Sequence, residues 1–145
     1  WNNVEETELT LLDGWLKSGD LARFDQDGDY YIVGRKKEMI ITGGENVYPQ
    51  EVEQCLTLHS NVREAAIIGL PDKKWGECVT AFICSTSPNH SFKEDLISHC
   101  KYHLGSYKVP KKFLFVDELP RTDVGKIDKK KLYELAMEDS NKGIS

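Results

Sequence analysis

Two short runs carry more apolar residues than a half-exposed strand tolerates. EAAIIGL (64–70) and ECVTAFICS (77–85) are rich in β-formers and dense in apolar side chains, the pattern of strands central to a sheet. Between them, LPDKKWGE reads as a loop carrying a bulky aromatic, Trp75. The flanking segments supply helices to cover such strands. In PQEVEQCLTLH, Pro49 takes the first helical position that proline favours, and Val52, Leu56 and Leu58 make an apolar side. Ser91 followed by Glu94 reads as a capping box, after which Leu96, Ile97, Cys100 and Leu104 continue at helical spacing until Gly105 stops the run. KFLFVDEL is a further strand. KKKLYELAMED is a last helix with Leu132, Leu135 and Ala136 inward, before a polar, frayed end at SNKGIS.

Upstream, LARFDQDGDYYIVGR reads as a hairpin whose turn comes from Asp27-Gly28, and EMIIT as a short strand running into Gly43-Gly44. The order is hairpin, strand, helix, two strands, helix, strand, helix. It predicts an α+β fold, a small mixed sheet with packed helices, preceded by the β-hairpin.

Composition excludes several classes. A net charge of −5 argues against a nucleic-acid binder. No apolar run approaches the about 20 residues of a transmembrane segment. The first residues lack the basic start and apolar centre of a secretory signal, and the chain does not begin with Met, which suggests a piece of something longer. Cys55, Cys78, Cys84 and Cys100 show no C-x-x-C spacing and read as buried, reduced thiols, so the expected location is cytoplasmic. Asp25, Asp27 and Asp29 superficially suggest a calcium loop, but Tyr30 stands where glycine is needed and Lys36 where a bidentate glutamate is needed, so no metal site is predicted.

The charge is unevenly spread. From Lys101 to Lys131 there are nine Lys plus Arg against four Asp plus Glu. A basic tail on an acidic body suits a polyphosphate ligand, and a solvated surface gives the same pattern. RTDVGKIDKKK concentrates the question, because Lys126 follows a glycine at a turn ahead of a basic helix start. As a residue it is either solvated punctuation or a cation offered to a phosphate.

Three stretches, in order and at plausible spacing, carry a resemblance. SGDLARF, GRKKEMIITGGENVYPQEVE and LPRTDVGKIDKKKL together resemble the last part of the adenylate-forming superfamily, which includes acyl-CoA synthetases, luciferases and the adenylation domains of peptide synthetases. The resemblance implies that residues 1–36, with the hairpin, are the end strip of a larger N-terminal domain that binds ATP and a carboxylic acid. Residues 37–145 would be the mobile C-terminal domain. Such enzymes make acyl-AMP and pyrophosphate, then turn the small domain to present another face for attack by a thiol.

Site residues follow from the same resemblance. Asp20 would accept the ribose hydroxyls of the nucleotide, and Arg35 would stand near ribose and phosphate, with Lys37 as the hinge. Lys126 would reach the α-phosphate and the attacking carboxylate during adenylation. Gly43, Gly44, Glu45 and Asn46 would turn toward pantetheine, although a glycine pair here also serves a tight strand-to-helix connection. Trp75, Tyr107, Lys108 and Lys111 would face CoA, Tyr107 by stacking and the lysines on phosphates. Trp75 equally suits a partly exposed cover for the sheet, and Val109 stands where some relatives place arginine.

The implied activity is an AMP-forming carboxylate–CoA ligase using ATP, Mg2+ held mainly by the missing domain, and CoA as co-substrate. GRKKEMIITGGENVYP is nearer to fatty-acid and aryl-CoA ligases than to peptide-synthetase domains. Two alternatives stay open, a module loading a carrier protein and a non-catalytic CoA- or nucleotide-binding module. The fragment alone is expected to be inactive, and its partners to be its own N-terminal domain, the acid, ATP and CoA. The Pro120 and Gly125-Lys126 setting resembles that of family lysines acylated by a protein acyltransferase, which would remove the charge.

Overall fold

A computed structural model describes residues 3–86 and 91–142. The order is α1 (Val4–Thr10), β1 (Leu11–Leu12), β2 (Trp15–Leu16), β3 (Asp20–Phe24), β4 (Tyr30–Arg35), a 3-10 turn (Lys36–Glu38), β5 (Ile40–Thr42), β6 (Glu45–Val47) and α2 (Pro49–Thr57). There follow β7 (Val62–Asp72), β8 (Gly76–Ser85), α3 (Phe92–His103), a second 3-10 turn (Ser106–Lys108), β9 (Lys112–Phe115) and α4 (Lys129–Lys142). α4 takes in three residues of SNKGIS, and residues 143–145 lie outside the described part.

β8 is the centre of the sheet. β7 pairs with it antiparallel along its whole length, while its other edge is shared by β5, which meets it at Thr42 opposite Gly76, and by β9, which runs parallel from Thr80 to Ile83. With β6 beyond β5, the sheet is mixed. Side chains alternate across its faces. Ala65, Ile67, Val79, Ala81 and Ile83 join Val52, Leu56, Phe92, Leu96 and Cys100, so α2 and α3 cover one face. Ala66, Ile68, Leu70, Phe82 and Cys84 join Leu119, Leu132 and Ala136 beneath α4. Both faces are buried, which is why the two runs read as continuously apolar. Each fully buried leucine of this set contributes about 1.5–3 kcal/mol of transfer free energy.

Several local expectations are corrected. The loop after β7 shrinks to Lys73–Trp75, because the strand continues through Pro71 to Asp72; β7 is an edge strand, where a missing N–H is tolerated. GGEN is not a strand-to-helix connection. Gly43 (φ +61°) and Gly44 (φ +85°) form the two-residue turn of a β5–β6 hairpin, the conformation that demands positive φ at both positions. Leu58 is 72% exposed because α2 ends at Thr57, and Cys55 fills the inner stripe instead. Leu135 lies on the flank of α4, exposed, while Leu132 and Ala136 at i and i+4 define the buried line. Ser91 is the N-cap of α3 but makes no capping bond; its hydroxyl donates to Asp95 Oδ2 at 3.3 Å. Gly105 has φ −59°, so α3 does not end on a left-handed glycine. A side chain there would instead meet the Tyr107 ring at 3.0 Å.

The predicted β3–β4 hairpin is present, with Asp25 Oδ1 accepting the N–H groups of Asp27 and Asp29 in its turn. Among the described residues it pairs only with itself, and β4 packs against α2. α1 and the β1–β2 hairpin carry no strong sequence signal; α1 buries none of its residues. All four cysteines are free and buried, and burial pushes the Cys100 thiol up to about 12, with neighbouring Cys55 adding to it. No helix among the described residues is long and apolar enough to cross a membrane.

Candidate functional site

Lys126 sits on a stapled turn. The Gly125 N–H donates to Thr122 O at 2.8 Å, the Thr122 N–H donates to Lys126 O at 2.8 Å, and Arg121 bridges to Ile127. Gly125 takes φ +82°, which closes the turn. Arg121 clamps it from outside, donating from Nη1 to Gly125 O at 3.0 Å and from Nη2 to Glu64 Oε1 at 2.6 Å. Asp128 then accepts the N–H groups of Lys130 and Lys131 at 3.1 Å and starts α4. The backbone is therefore fixed while the Lys126 side chain is exposed and, among the described residues, has no ion-pair partner. A firmly held base under a free ammonium suits delivery of a charge to a ligand.

The predicted CoA-facing residues converge elsewhere. The Gly43 N–H donates to Trp75 O at 2.8 Å, and the indole lies so close that a side chain at Gly43 would meet it at 2.9 Å. Lys111 Nζ stands 3.4 Å from the centre of the Trp75 ring, a cation–π contact that completes a stack of hairpin, indole and lysine. Glu45 and Asn46 lie on β6, which packs on the turn carrying Tyr107. Beside the glycine turn, Thr42 Oγ1 is buried with no hydrogen-bond partner among the described residues.

Lys108 and Lys111 have different partners. Lys108 Nζ lies 2.6 and 2.8 Å from the two carboxylate oxygens of Glu51. Burial pulls its pKa down, but Glu51, with Tyr107 adding to it, offsets this and the net shift is upward, so Lys108 is a paired cation.

These two constellations occupy opposite ends of the sheet. The Lys126 turn is anchored at Glu64, near the start of β7, while Trp75 lies in the loop after Asp72. Glu64 and Asp72 are eight strand steps apart, about 26 Å at strand rise.

The third group lies on the strip before the sheet. Asp20 and Arg35 face each other across β3 and β4, with Arg35 Nε 2.7 Å from Asp20 Oδ1 and Nη1 donating to Ser18 O at 3.0 Å. Lys37, in the turn that follows, is 92% exposed. Sequence reasoning missed the residues around it: Glu38, Glu53 and Lys129, which form one linked group. The signal that points to them is the run of three lysines at the start of α4.

Residues 51–126 match the family described as AMP-binding enzyme C-terminal domain. The long-chain-fatty-acid–CoA ligase of Yersinia pestis is 45% identical over 132 residues, covering 91% of this chain and 23% of that protein. The 2-succinylbenzoate–CoA ligase of Bacillus licheniformis is 48% identical over 120 residues, 83% of this chain and 25% of that one. Among solved structures, o-succinylbenzoate CoA synthetase from Bacillus subtilis with its acyl-adenylate superposes with a TM-score of 0.81 at 41% identity, over 86% of this chain and 25% of that one. An anthranilate CoA ligase with anthranoyl-AMP gives 0.85 at 37% identity, over 94% and 27%. The chain spans about a quarter of the length of these relatives.

Proposed function

Because the chain belongs to the AMP-binding enzyme C-terminal domain family, we propose that it is the C-terminal part of an ATP-dependent carboxylate–CoA ligase acting on a fatty or aryl acid. One observation carries the proposal. The exposed lysine on a rigid turn and the glycine–tryptophan–lysine stack stand at opposite ends of a single sheet, as two half-reactions performed by one rotating body require.

In the first half-reaction Lys126 brings its ammonium to the α-phosphate and the acid's carboxylate, stabilising charge that grows as the acyl-AMP forms and pyrophosphate leaves. Asp20, oriented through one oxygen by Arg35, accepts the ribose hydroxyls. In the second, rotation about Lys37 withdraws Lys126 and presents the Gly43-Gly44 turn, where a backbone without side chains admits a narrow pantetheine arm. Trp75 and Tyr107 border that approach. Lys111 keeps the indole in place while adding positive charge toward CoA phosphates, and Lys108 stiffens the same side through Glu51. Residues 1–36 then belong to the preceding domain and 37–145 to the moving one. Among the described residues no group of three His, Cys, Asp or Glu converges on a metal position, and Mg2+ would be held mainly by the preceding domain.

The full-length protein carrying this chain should show carboxylate-dependent ATP–pyrophosphate exchange and, with CoA added, acyl-CoA and AMP. The isolated chain should show neither. Exchange without CoA-dependent product, and with acyl transfer to a carrier's phosphopantetheine, would overturn the assignment of CoA in favour of a carrier-loading module. Exchange absent from the full-length protein with every fatty and aryl acid tried, yet CoA still bound, would make this a binding module.

A further inference from the structure

The start of α4 runs against helix electrostatics. Lys129, Lys130 and Lys131 fill its first turn with no acidic residue among them, where the positive end of the helix dipole disfavours cations. Lys130 and Lys131 are exposed, and Lys131 comes no nearer than 4.0 Å to Asp128. Lys129 is different. Its Nζ lies 2.6 Å from Glu38 Oε2 and 3.9 Å from Glu53 Oε1, with the side chain 30% exposed. Glu53 in turn accepts the Ile67 N–H at 2.9 Å, on the open edge of β7. One ammonium thus ties α4, α2 and residue 38 together.

Glu38 ends the 3-10 turn that contains Lys37. On the other side of Lys37, the Lys36 N–H donates to Gly19 O at 2.9 Å, and Arg35 is held by Asp20 and Ser18. Lys37 itself is held by little, its Nζ coming only within 3.9 Å of Glu6. A freely exposed residue stands between two anchored neighbours, one on each side of the proposed domain boundary.

We propose that Lys129 is a positioning residue of the domain rotation: by holding Glu38 against the base of α4, it ends the hinge at Lys37 and makes residue 38, α2 and the Lys126 turn swing as one body. This rests on the alternating reading given above. Pro120 O accepts the Asp128 N–H at 2.8 Å, so the latch and the Lys126 turn share one rigid support. Without the Lys129 charge, Glu38 and Glu53 are left as like charges, the flexible segment lengthens beyond Lys37, and the Lys126 ammonium loses its fixed arc.

The test uses the full-length enzyme carrying this chain. Hydrogen exchange over residues 37–40, read by mass spectrometry, should quicken at least tenfold in Lys129→Met and in Glu38→Gln, and return to the wild-type rate in Lys129→Arg and in the swap Glu38→Lys with Lys129→Glu. The turnover number for pyrophosphate exchange should fall roughly tenfold in Lys129→Met with the KM for ATP unchanged, and recover with the swap. Unchanged exchange over 37–40 in both single variants would overturn the latch, and quickened exchange with unaltered half-reactions would overturn its link to catalysis. Lys126→Ala is the control: if it also leaves pyrophosphate exchange intact, the alternating reading has failed and not the latch. Glu38→Gln removes the bond from its more exposed end, so a Lys129 variant that does not fold leaves the test intact.

Discussion

The Lys111 ammonium stands 3.4 Å from the centre of the Trp75 ring, and the same indole packs on Gly43. A strand-leading lysine therefore holds down a loop aromatic, which in turn holds a glycine turn. A double-mutant cycle between Lys111→Met and Trp75→Leu, read by urea denaturation, should give a coupling energy of about 0.5–2 kcal/mol. Additive single changes would show that the contact carries no energy.

The two glycines of the β5–β6 turn should respond unequally. Gly43→Ala adds a methyl 2.9 Å from the indole as well as placing alanine at φ +61°, whereas Gly44→Ala meets nothing within 4 Å and suffers only the φ +85° conformation. The expected destabilisation is about 2–3 kcal/mol for the first and about 1 kcal/mol for the second. Equal losses in chemical denaturation would mean that the indole yields freely.

Lys126→Ala in the full-length enzyme should lower carboxylate-dependent pyrophosphate exchange by about 10²–10³-fold or more, the scale of removing one charge-stabilising donor. Thioester formation from premade acyl-AMP and CoA should survive, because in the proposed alternation that step uses the opposite end of the sheet. Loss of both reactions would place Lys126 in a shared structural role. Acetylation of the same lysine should reproduce the substitution, since it removes the ammonium.

Glu53 titrates above its ordinary value of 4.5, pushed up by burial against the opposing pull of the Ile67 N–H and Lys129, with Glu38 raising it further. The native state thus retains a proton that the unfolded chain releases, so this group makes stability fall as pH rises from 4.5 through the native pKa. Glu53→Gln cannot ionise. Its stability relative to wild type should therefore rise with pH through that window and level off above it. Melting temperatures of the two proteins measured between pH 4 and pH 8 check the sign, and a mutant-minus-wild-type value that falls with rising pH would contradict it.

Legibility followed the range of the interaction. β7 and β8 could be read because burial on both faces leaves an apolar run in the chain itself, and α2 because Pro49 marks its start. The family motifs pointed to Asp20 with Arg35, and to Gly43 with Trp75 and Lys111, pairs that the fold brings into contact. Lys129 with Glu38 was invisible, since 91 residues separate them and nothing within either motif says that the two side chains meet. β6 was missed because three residues after a glycine turn hold too little pattern to separate a strand from a connection. Ser91 and Glu94 looked like a capping box, yet the serine hydroxyl donates to the Asp95 carboxylate instead of accepting the Glu94 N–H, a choice that spacing cannot make.

The place of β9 has a consequence for synthesis. β9 pairs parallel with β8 by joining Lys112 to Thr80, a long loop closure that follows the local β7–β8 hairpin. Until α4 has left the ribosome, the face bearing Ile68, Leu70 and Phe82 lacks the cover of Leu132 and Ala136. At that stage the nascent chain exposes apolar surface of the kind that aggregates, and translation pausing just upstream of α4 would prolong the exposure.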